Sequence, residues 1–329
     1  KYMENLKEIL DNFHNKKILV IGDVMLDKYT MGRVKMISPE APVPLVTVEK
    51  EEYKPGGAAN VALNVANLSI NSQVYLFGFV GNDFYGNELK KILSNNRINY
   101  SFEKSDTTTM KERIIGRSSG QQQHIVRVDR NETSQKNFKS LENILEVAEK
   151  ADKIIISDYA KGAITSNLMS ALNPYKKKII VDPKPSNKDF KNLYKDVFFM
   201  TPSRSEALLM SKSDNIDEAG GSLKKEFNSN ILITLGKEGM KLFPINGEET
   251  YIGTIPEESF EETGAGDTAI AAIALALSSS DNSLESLINA AKIGNLAAGI
   301  TVKHIGTYAP TFQELKEKIE SLQNNNDNQ

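Results

Sequence analysis

Cysteine is absent from the 329-residue sequence, which excludes disulfides, thiolate metal sites and thiol catalysis together. Histidine is scarce: the three present, His14, His124 and His304, are scattered, and no two have the spacing of a helical zinc pair. No apolar run approaches the ~20 residues that cross a bilayer. The N-terminus also lacks the charged, apolar and small-residue succession of a signal peptide, so the expected location is the cytoplasm. Clustered positive charge is missing too. The formal net charge is -3, and the one basic triplet, Lys176, Lys177 and Lys178, reads as a solvated entry to the apolar run Ile179–Val181. Nucleic acid and anionic membranes both require clustered charge, so neither is expected as a partner. Lys1 stands where an initiator methionine would, so no weight rests on the start of the chain.

With 40% hydrophobic and 25% charged residues, the chain has the composition of a globular protein with a sizeable core. Its length would fit about two domains, but one open α/β sheet with its decorations fills it equally well. The order of elements favours the second arrangement. Strand-length apolar runs at Ile18–Ile21 and Val74–Phe79 alternate with amphipathic stretches at Ala58–Leu68 and Tyr85–Leu93. The rhythm resumes with helix 139–149, strand 154–157, helix 166–172 and strand 179–181. It closes with strands 197–200 and 231–235 and two long small-residue helices, 265–277 and 284–302. Alternation of this kind predicts a mainly parallel sheet with helices on both faces.

Two segments break the rhythm, 29–50 and 103–130. They hold short alternating stretches such as Leu45–Val48 and Ile125–Val128 between Gly and Pro residues, which predicts antiparallel strands outside the main sheet. Too few to fold alone, they fit a small lid sheet inserted in a single domain spanning 1–329. Its exposed edges predict pairing with a second copy, a homodimer. The polar tail Asn324–Gln329 is expected to fray.

Two glycine turns stand out. Thr263-Gly264-Ala265-Gly266-Asp267-Thr268 directly precedes an apolar helix, so backbone N–H groups point outward at a helix N-terminus, a geometry that binds anions. Such groups would stabilise charge spreading over a transferring phosphoryl group, and Asp267 beside them could take the proton of an incoming hydroxyl. A packing turn with an aspartate in the first helical turn is the alternative. The string is neither a Walker loop nor a Rossmann fingerprint. Pro55-Gly56-Gly57-Ala58-Ala59-Asn60 likewise opens a helix of small residues, either to let a polyhydroxylated ligand touch backbone or for tight packing.

Together with Gly22-Asp23-Val24-Met25-Leu26-Asp27, these turns occur in the order and spacing of the ribokinase or phosphofructokinase-B family, which the chain resembles from about Lys17 to about Leu315. The resemblance implies a ribokinase-like three-layer α/β/α body with a small β-sheet lid, using ATP and Mg²⁺ to phosphorylate a sugar. Three further strings, Ile37–Pro44, Ser157–Gly162 and Asp182-Pro183-Lys184, resemble those of kinases acting on D-glycero-β-D-manno-heptose 7-phosphate on the route to ADP-heptose. Many of these are fused to a nucleotidyltransferase with a His-x-Gly-His motif. No such motif occurs here, so the resemblance is to the stand-alone form.

Carried over, the family pattern makes Asp267 the base and Gly264, Ala265 and Gly266 the anion hole. It gives Asp27, Gly56, Gly57, Asn60 and Asp158 to the sugar. A phosphorylated acceptor also needs cations, for which Arg113, Arg117, Arg127 and Lys161 are candidates, with exposed lid charge as the alternative. The nucleotide side takes Lys184, Ser203, Glu206, Thr234, Gly236, Gly239 and Asn295. Two departures are visible. Ser203 stands where the family has asparagine three residues before Glu206, the residue implied near Mg²⁺, and Glu261 stands where relatives carry an aspartate linked to a potassium site. The implied activity is formation of the heptose 1,7-bisphosphate for a surface-polysaccharide pathway. A kinase of another sugar, and a nucleotide- or sugar-sensing protein without catalysis, are the alternatives.

Overall fold

The computed structural model describes residues 2–118, 121–130, 136–254 and 261–327, with side chains of 2–5, 121 and 323–327 left aside. The strands are β1 (Lys17–Gly22), β2 (Val24–Ile37), β3 (Pro44–Gly57), β4 (Gln73–Gly81), β5 (Asn99–Ser105), β6 (Met110–Ser118), β7 (Gln121–Arg130), β8 (Lys153–Ser157), β9 (Ile179–Asp182), β10 (Phe199–Met200), β11 (Asn230–Thr234), β12 (Met240–Phe243) and β13 (Thr250–Ile252). The helices are α1 (Tyr2–Asp11), α2 (Ala58–Leu68), α3 (Phe84–Asn95), α4 (Leu141–Lys150), α5 (Ser166–Ala171), α6 (Phe190–Leu193), α7 (Arg204–Ser211), α8 (Ile216–Phe227), α9 (Ala265–Leu277), α10 (Leu284–Thr301) and α11 (Phe312–Asp327).

Nine strands form the large sheet in the order β13-β12-β11-β10-β9-β8-β1-β4-β5. It is parallel except for the pairs β11/β12 and β12/β13. β1 and β8 read as continuous apolar runs because both faces of the sheet are covered. One face packs Ile18, Val20, Leu76 and Ile155 against α2, α9 and α10, and the other packs Leu19, Ile21, Ile154 and Ile156 against α4, α5 and α8. These are the three expected α/β/α layers. α9 is buried from Asp267 to Leu277, so it is apolar on all sides instead of amphipathic.

β1 lies between β8 and β4, so the winding direction reverses there, and ligands of open α/β sheets bind at the carboxyl ends of strands at such a point. Asp23 staples this place: its carboxylate accepts the N–H groups of Tyr159 (2.8 Å), Lys161 (2.9 Å) and Ala163 (3.0 Å). β2, β3, β6 and β7 form the separate small sheet, in the order β3-β2-β6-β7.

The small sheet differs from expectation in two respects. β2 and β6 run parallel, so the sheet is mixed instead of antiparallel. It also begins at Val24 and reaches Gly57, beyond 29–50, while residues 103–105 complete β5 of the large sheet. The chain leaves β1 directly into β2, so the small sheet grows from the large sheet's carboxyl edge. Ser119 and Gly120, within the second expected segment, lie outside the described residues. α11 continues through Asp327, so the helix extends into the polar tail that begins at Asn324. The lysine triplet is also a correction: it ends a 3-10 helix, and Lys178 Nζ donates to the carbonyls of Ala148, Glu149 and Ala151 at the C-terminal end of α4, where cations satisfy orphan carbonyls. Among the described residues no helix is long and apolar enough to cross a membrane.

Candidate active site

Asp267 sits in the first turn of α9, where the backbone folds through Gly264 at φ +83. A Cβ at Gly264 would come within 3.1 Å of Asn60 Nδ2, so both conformation and space favour glycine. The Ala265 N–H donates to Glu262 O at 3.2 Å, which takes it out of the expected anion hole. The N–H groups of Gly266 and Asp267 find no acceptor among the described residues, and nothing lies within 4 Å of a Cβ built at Gly266. The open N–H pair of this turn is therefore Gly266 with Asp267, a shift of one residue caused by the turn that closes over Glu262.

Both oxygens of the Asp267 carboxylate are held. Asn60 Nδ2 donates to Oδ2 at 2.7 Å and the Tyr159 hydroxyl to Oδ1 at 2.8 Å. Asn60 is in turn fixed by Asn64, whose side-chain oxygen accepts from Thr268 Oγ1 at 2.7 Å. This buried network ties α2 to α9. Burial raises the Asp267 pKa to about 6, against the lowering effect of the Asn60 and Tyr159 hydrogen bonds; nearby Asp27 raises it further and Lys111 lowers it.

The second glycine turn meets the same place from the small sheet. Gly57 has φ +55, and a Cβ on it would lie 2.4 Å from Asp23 O. A Cβ on Gly56 would lie 2.9 Å from Asp27 Oδ2. Asp27 is buried and accepts from Arg113 at 3.1 Å through Oδ1, while Oδ2 has no donor among the described residues. Burial raises its pKa and Arg113 opposes that.

Strand register places Asp27, Lys111, Arg113, Arg127 and Lys54 on one face of the small sheet, since directly paired residues share a face. Lys111 Nζ lies 5.1 Å from the Tyr159 ring centroid and has no ion pair among the described residues. Arg127 reaches Asp129 through two bonds of 2.8 and 3.0 Å. Arg117 stands further along β6 and pairs with Glu49 at 3.1 Å, an exposed surface pair apart from Asp27. The opposite face carries its own ion network, in which Lys28 meets Glu51 and Glu112.

Asp158 is committed elsewhere: it accepts from Tyr194 at 2.5 Å, Asn187 at 2.8 Å and the Ala160 N–H at 2.7 Å. Burial and Asp23 raise its pKa to about 6. With three donors on it, its role in this conformation is to hold the 158–190 loops, and the expected contact to sugar is not what its partners indicate. Lys161 is half-buried on that loop, its N–H on Asp23.

Along the carboxyl ends of β9, β10 and β11, Lys184 Nζ meets Glu206 Oε1 at 2.8 Å, and Ser203 pairs with Thr234 across a bridge. Ser203 caps α7 and forms a capping box with Glu206, whose Oε2 accepts the Ser203 N–H at 3.0 Å. The departure from asparagine therefore has a local reason, legible in the sequence as Ser-x-x-Glu before a helix. Gly236 (φ +61) and Gly239 (φ +99) bound the turn after β11. Asn295 on α10 bonds Gly253 O and Thr254. Glu261 accepts from Thr263 at 2.5 Å and from the Gly306 N–H at 2.7 Å. Tyr159, Lys111 and Lys54 are the residues that sequence reasoning missed. Tyr159 sits inside a quoted string, and the lysines were visible only as members of alternating strands. A separate cavity of about 320 Å³, lined by Lys17, Tyr75 and Phe77 among others, lies around the amino half of β1 and β4 and includes none of these residues.

A buried carboxylate held beside open N–H groups at a helix start, at the switch point of a mostly parallel sheet, points to a phosphotransferase acting on an alcohol group. The pfkB family carbohydrate kinase model matches residues 15–314, and the chain belongs to that family, an ATP-dependent sugar kinase. The bifunctional protein HldE of Shewanella sp. (strain MR-4) is 36% identical over 325 residues, 95% of this chain. The chain spans 66% of that relative's length. Two solved structures share the fold: the Arabidopsis thaliana ribokinase complexed with ribose and ATP (TM-score 0.70, 19% identity, 93% of this chain and 99% of that one) and the Escherichia coli phosphofructokinase-2 in complex with potassium (TM-score 0.73, 17% identity, 94% and 99%).

Proposed function

We propose that the chain transfers the γ-phosphoryl group of ATP to the anomeric hydroxyl of D-glycero-β-D-manno-heptose 7-phosphate, giving the 1,7-bisphosphate in the cytoplasmic route to ADP-heptose and lipopolysaccharide. One observation carries the choice of a phosphorylated acceptor: Lys111, Arg127 and Lys54 share the face of the small sheet that bears the Asp27–Arg113 pair, and Lys111 reaches over Tyr159 beside Asp267. Cations on that face suit a distal phosphate. The HldE relative and the heptose-kinase-like strings support the sugar.

Asp267 takes the acceptor proton as the sugar oxygen bonds to phosphorus, the bond to the β-phosphate oxygen breaks, and ADP leaves. Gly266 and Asp267 N–H groups face charge on the transferring group. Asp27 Oδ2, Asn60 and the Gly56–Gly57 backbone orient the sugar. Among the described residues no three Asp, Glu or His side chains gather to hold a metal ion, and both Glu206 oxygens have protein donors. Glu206 therefore suits a water-mediated contact to Mg²⁺ carried on the nucleotide phosphates, where the ion would neutralise charge. A potassium ion at Glu261 would share oxygens with Thr263 and Gly306. Lys184, Ser203, Thr234, Gly236, Gly239 and Asn295 form the nucleotide side.

The unit is read as one catalytic domain whose small sheet is the lid. Exposed Met36, Ile37, Leu45, Val48 and Val126 on that sheet, with Val43 in the β2–β3 loop, support a homodimer through it, and a monomer in light scattering would contradict this. The function is tested by ADP release from Mg-ATP across heptose 7-phosphates, fructose phosphates, ribose and nucleosides, with the product position read by phosphorus NMR. An anomeric phosphate on the manno-heptose is expected. Activity on another acceptor alone would remove the heptose reading and leave the kinase.

A further inference from the structure

We propose that Tyr159 is a positioning residue for the catalytic base, its hydroxyl fixing the Asp267 carboxylate while Lys111 on its ring ties that carboxylate to the position of the small sheet. The inference rests on the reading of Asp267 as base. A carboxylate on a helix terminus turns freely about its last bond unless both oxygens are held. Here Asn60 holds Oδ2 from α2, and Tyr159 holds Oδ1 from the loop after β8. Each oxygen keeps a lone pair for the acceptor hydroxyl, so the two donors set the plane in which that proton is taken.

The loop carrying Tyr159 is itself over-determined. Its N–H and those of Lys161 and Ala163 converge on Asp23, the Ala160 N–H is held by Asp158, and Ala160 takes φ +55, a left-handed conformation unusual for alanine. The backbone that bears the ring is therefore held in place. From above, Lys111 on β6 presents its ammonium to the ring face at 5.1 Å. A shift of β6 relative to the body moves that cation with respect to both Tyr159 and Asp267.

Toward Asp267 the hydroxyl acts as the donor. Burial first, then the charge of Asp267, raise the Tyr159 pKa well above the usual phenol range, so it stays protonated throughout the working range. A donor to the ionised carboxylate favours ionisation. Around Asp267 the other titratable groups are Asp27 from β2, Lys111 from β6 and Asp182 from β9, whose own pKa burial raises well above the carboxylate range. Of these Asp27 opposes ionisation and Lys111 favours it, so Tyr159 and Asn60 counter burial and like charge.

The test compares Tyr159→Phe with Asp267→Asn, using Mg-ATP and D-glycero-β-D-manno-heptose 7-phosphate. For Tyr159→Phe the acid limb of kcat/KM should move up by about one unit, the tenfold loss expected when one hydrogen bond to a carboxylate is removed. kcat should fall about tenfold or more with KM nearly unchanged. 3,5-Difluorotyrosine at position 159 keeps the shape and strengthens the donor, so the limb should move down. It also carries the test if the Phe variant folds poorly. Carboxyl-carbon NMR of aspartate-labelled protein, assigned through Asp267→Asn, reads the same two shifts with no acceptor present. Limbs and carboxyl titrations that stay put in both Tyr159 variants would overturn the inference. Wild-type turnover by Asp267→Asn would instead remove the base, whatever Tyr159 does.

Discussion

Below the reacting position, the polar groups around Asp267 are tied to one another: Asn60, Asn64, Thr268 and Tyr159 form one hydrogen-bonded set within the body. Above it, on the small sheet and among the described residues, Lys111 has no ion pair, Lys54 bonds a backbone carbonyl, and Arg127 pairs with its neighbour Asp129 on an exposed strand. The floor is complete without substrate, whereas the roof carries charge that a ligand would complete. On the proposed function, a preorganised floor would serve the chemical step, and adaptable cations above would serve selection of the acceptor.

The comparison breaks first at the floor. Asp267→Asn should reduce kcat by roughly 10²- to 10⁴-fold, the usual worth of a positioned base, while ATP binding by calorimetry is retained. Because burial raises the wild-type pKa to about 6, kcat/KM of the free enzyme should fall below about pH 6. The same shift has a stability sign. A raised carboxyl pKa contributes stability fully below the unfolded value of 3.8, and that contribution is lost as pH rises through about 6. Asp267→Asn should therefore gain on the wild type in melting temperature between pH 4 and 7. A constant difference across that range would show that Asp267 is not held as described.

At the roof, Arg127→Gln should raise KM for the sugar phosphate roughly tenfold, as loss of one charge-assisted contact does, with kcat within a few-fold. A fall in kcat at constant KM would erase the division of labour. Furthest from both, Ser203→Ala removes the α7 cap and should cost ~1 kcal/mol, seen as a small drop in melting temperature. KM for ATP should change only as far as Glu206 loosens.

The mainly parallel sheet between helical layers, the two glycine turns and Asp267 were legible because period and glycine placement are local signals. The short β12 and β13 lack that period and were not anticipated. The parallel pairing of β2 with β6 was hidden for a different reason: it joins segments some 80 residues apart, and no local pattern records strand direction. The partners of Asp158 were hidden likewise, since Tyr194 and Asn187 approach it from another loop. Arg113, expected to meet substrate phosphate, spends its charge on Asp27, and only their contact shows it. The shift of the open N–H groups from Ala265 to Asp267 turns on a single backbone hydrogen bond to Glu262, which side-chain identities do not encode.

The most direct measurement of the division between floor and roof is the ratio of kcat/KM for D-glycero-β-D-manno-heptose 7-phosphate to that for the same heptose without its phosphate, at fixed Mg-ATP. Two or more charge-assisted contacts predict a ratio of about 10² or greater, falling in Arg127→Gln. A ratio near one would contradict the assignment of the basic sheet face to an acceptor phosphate.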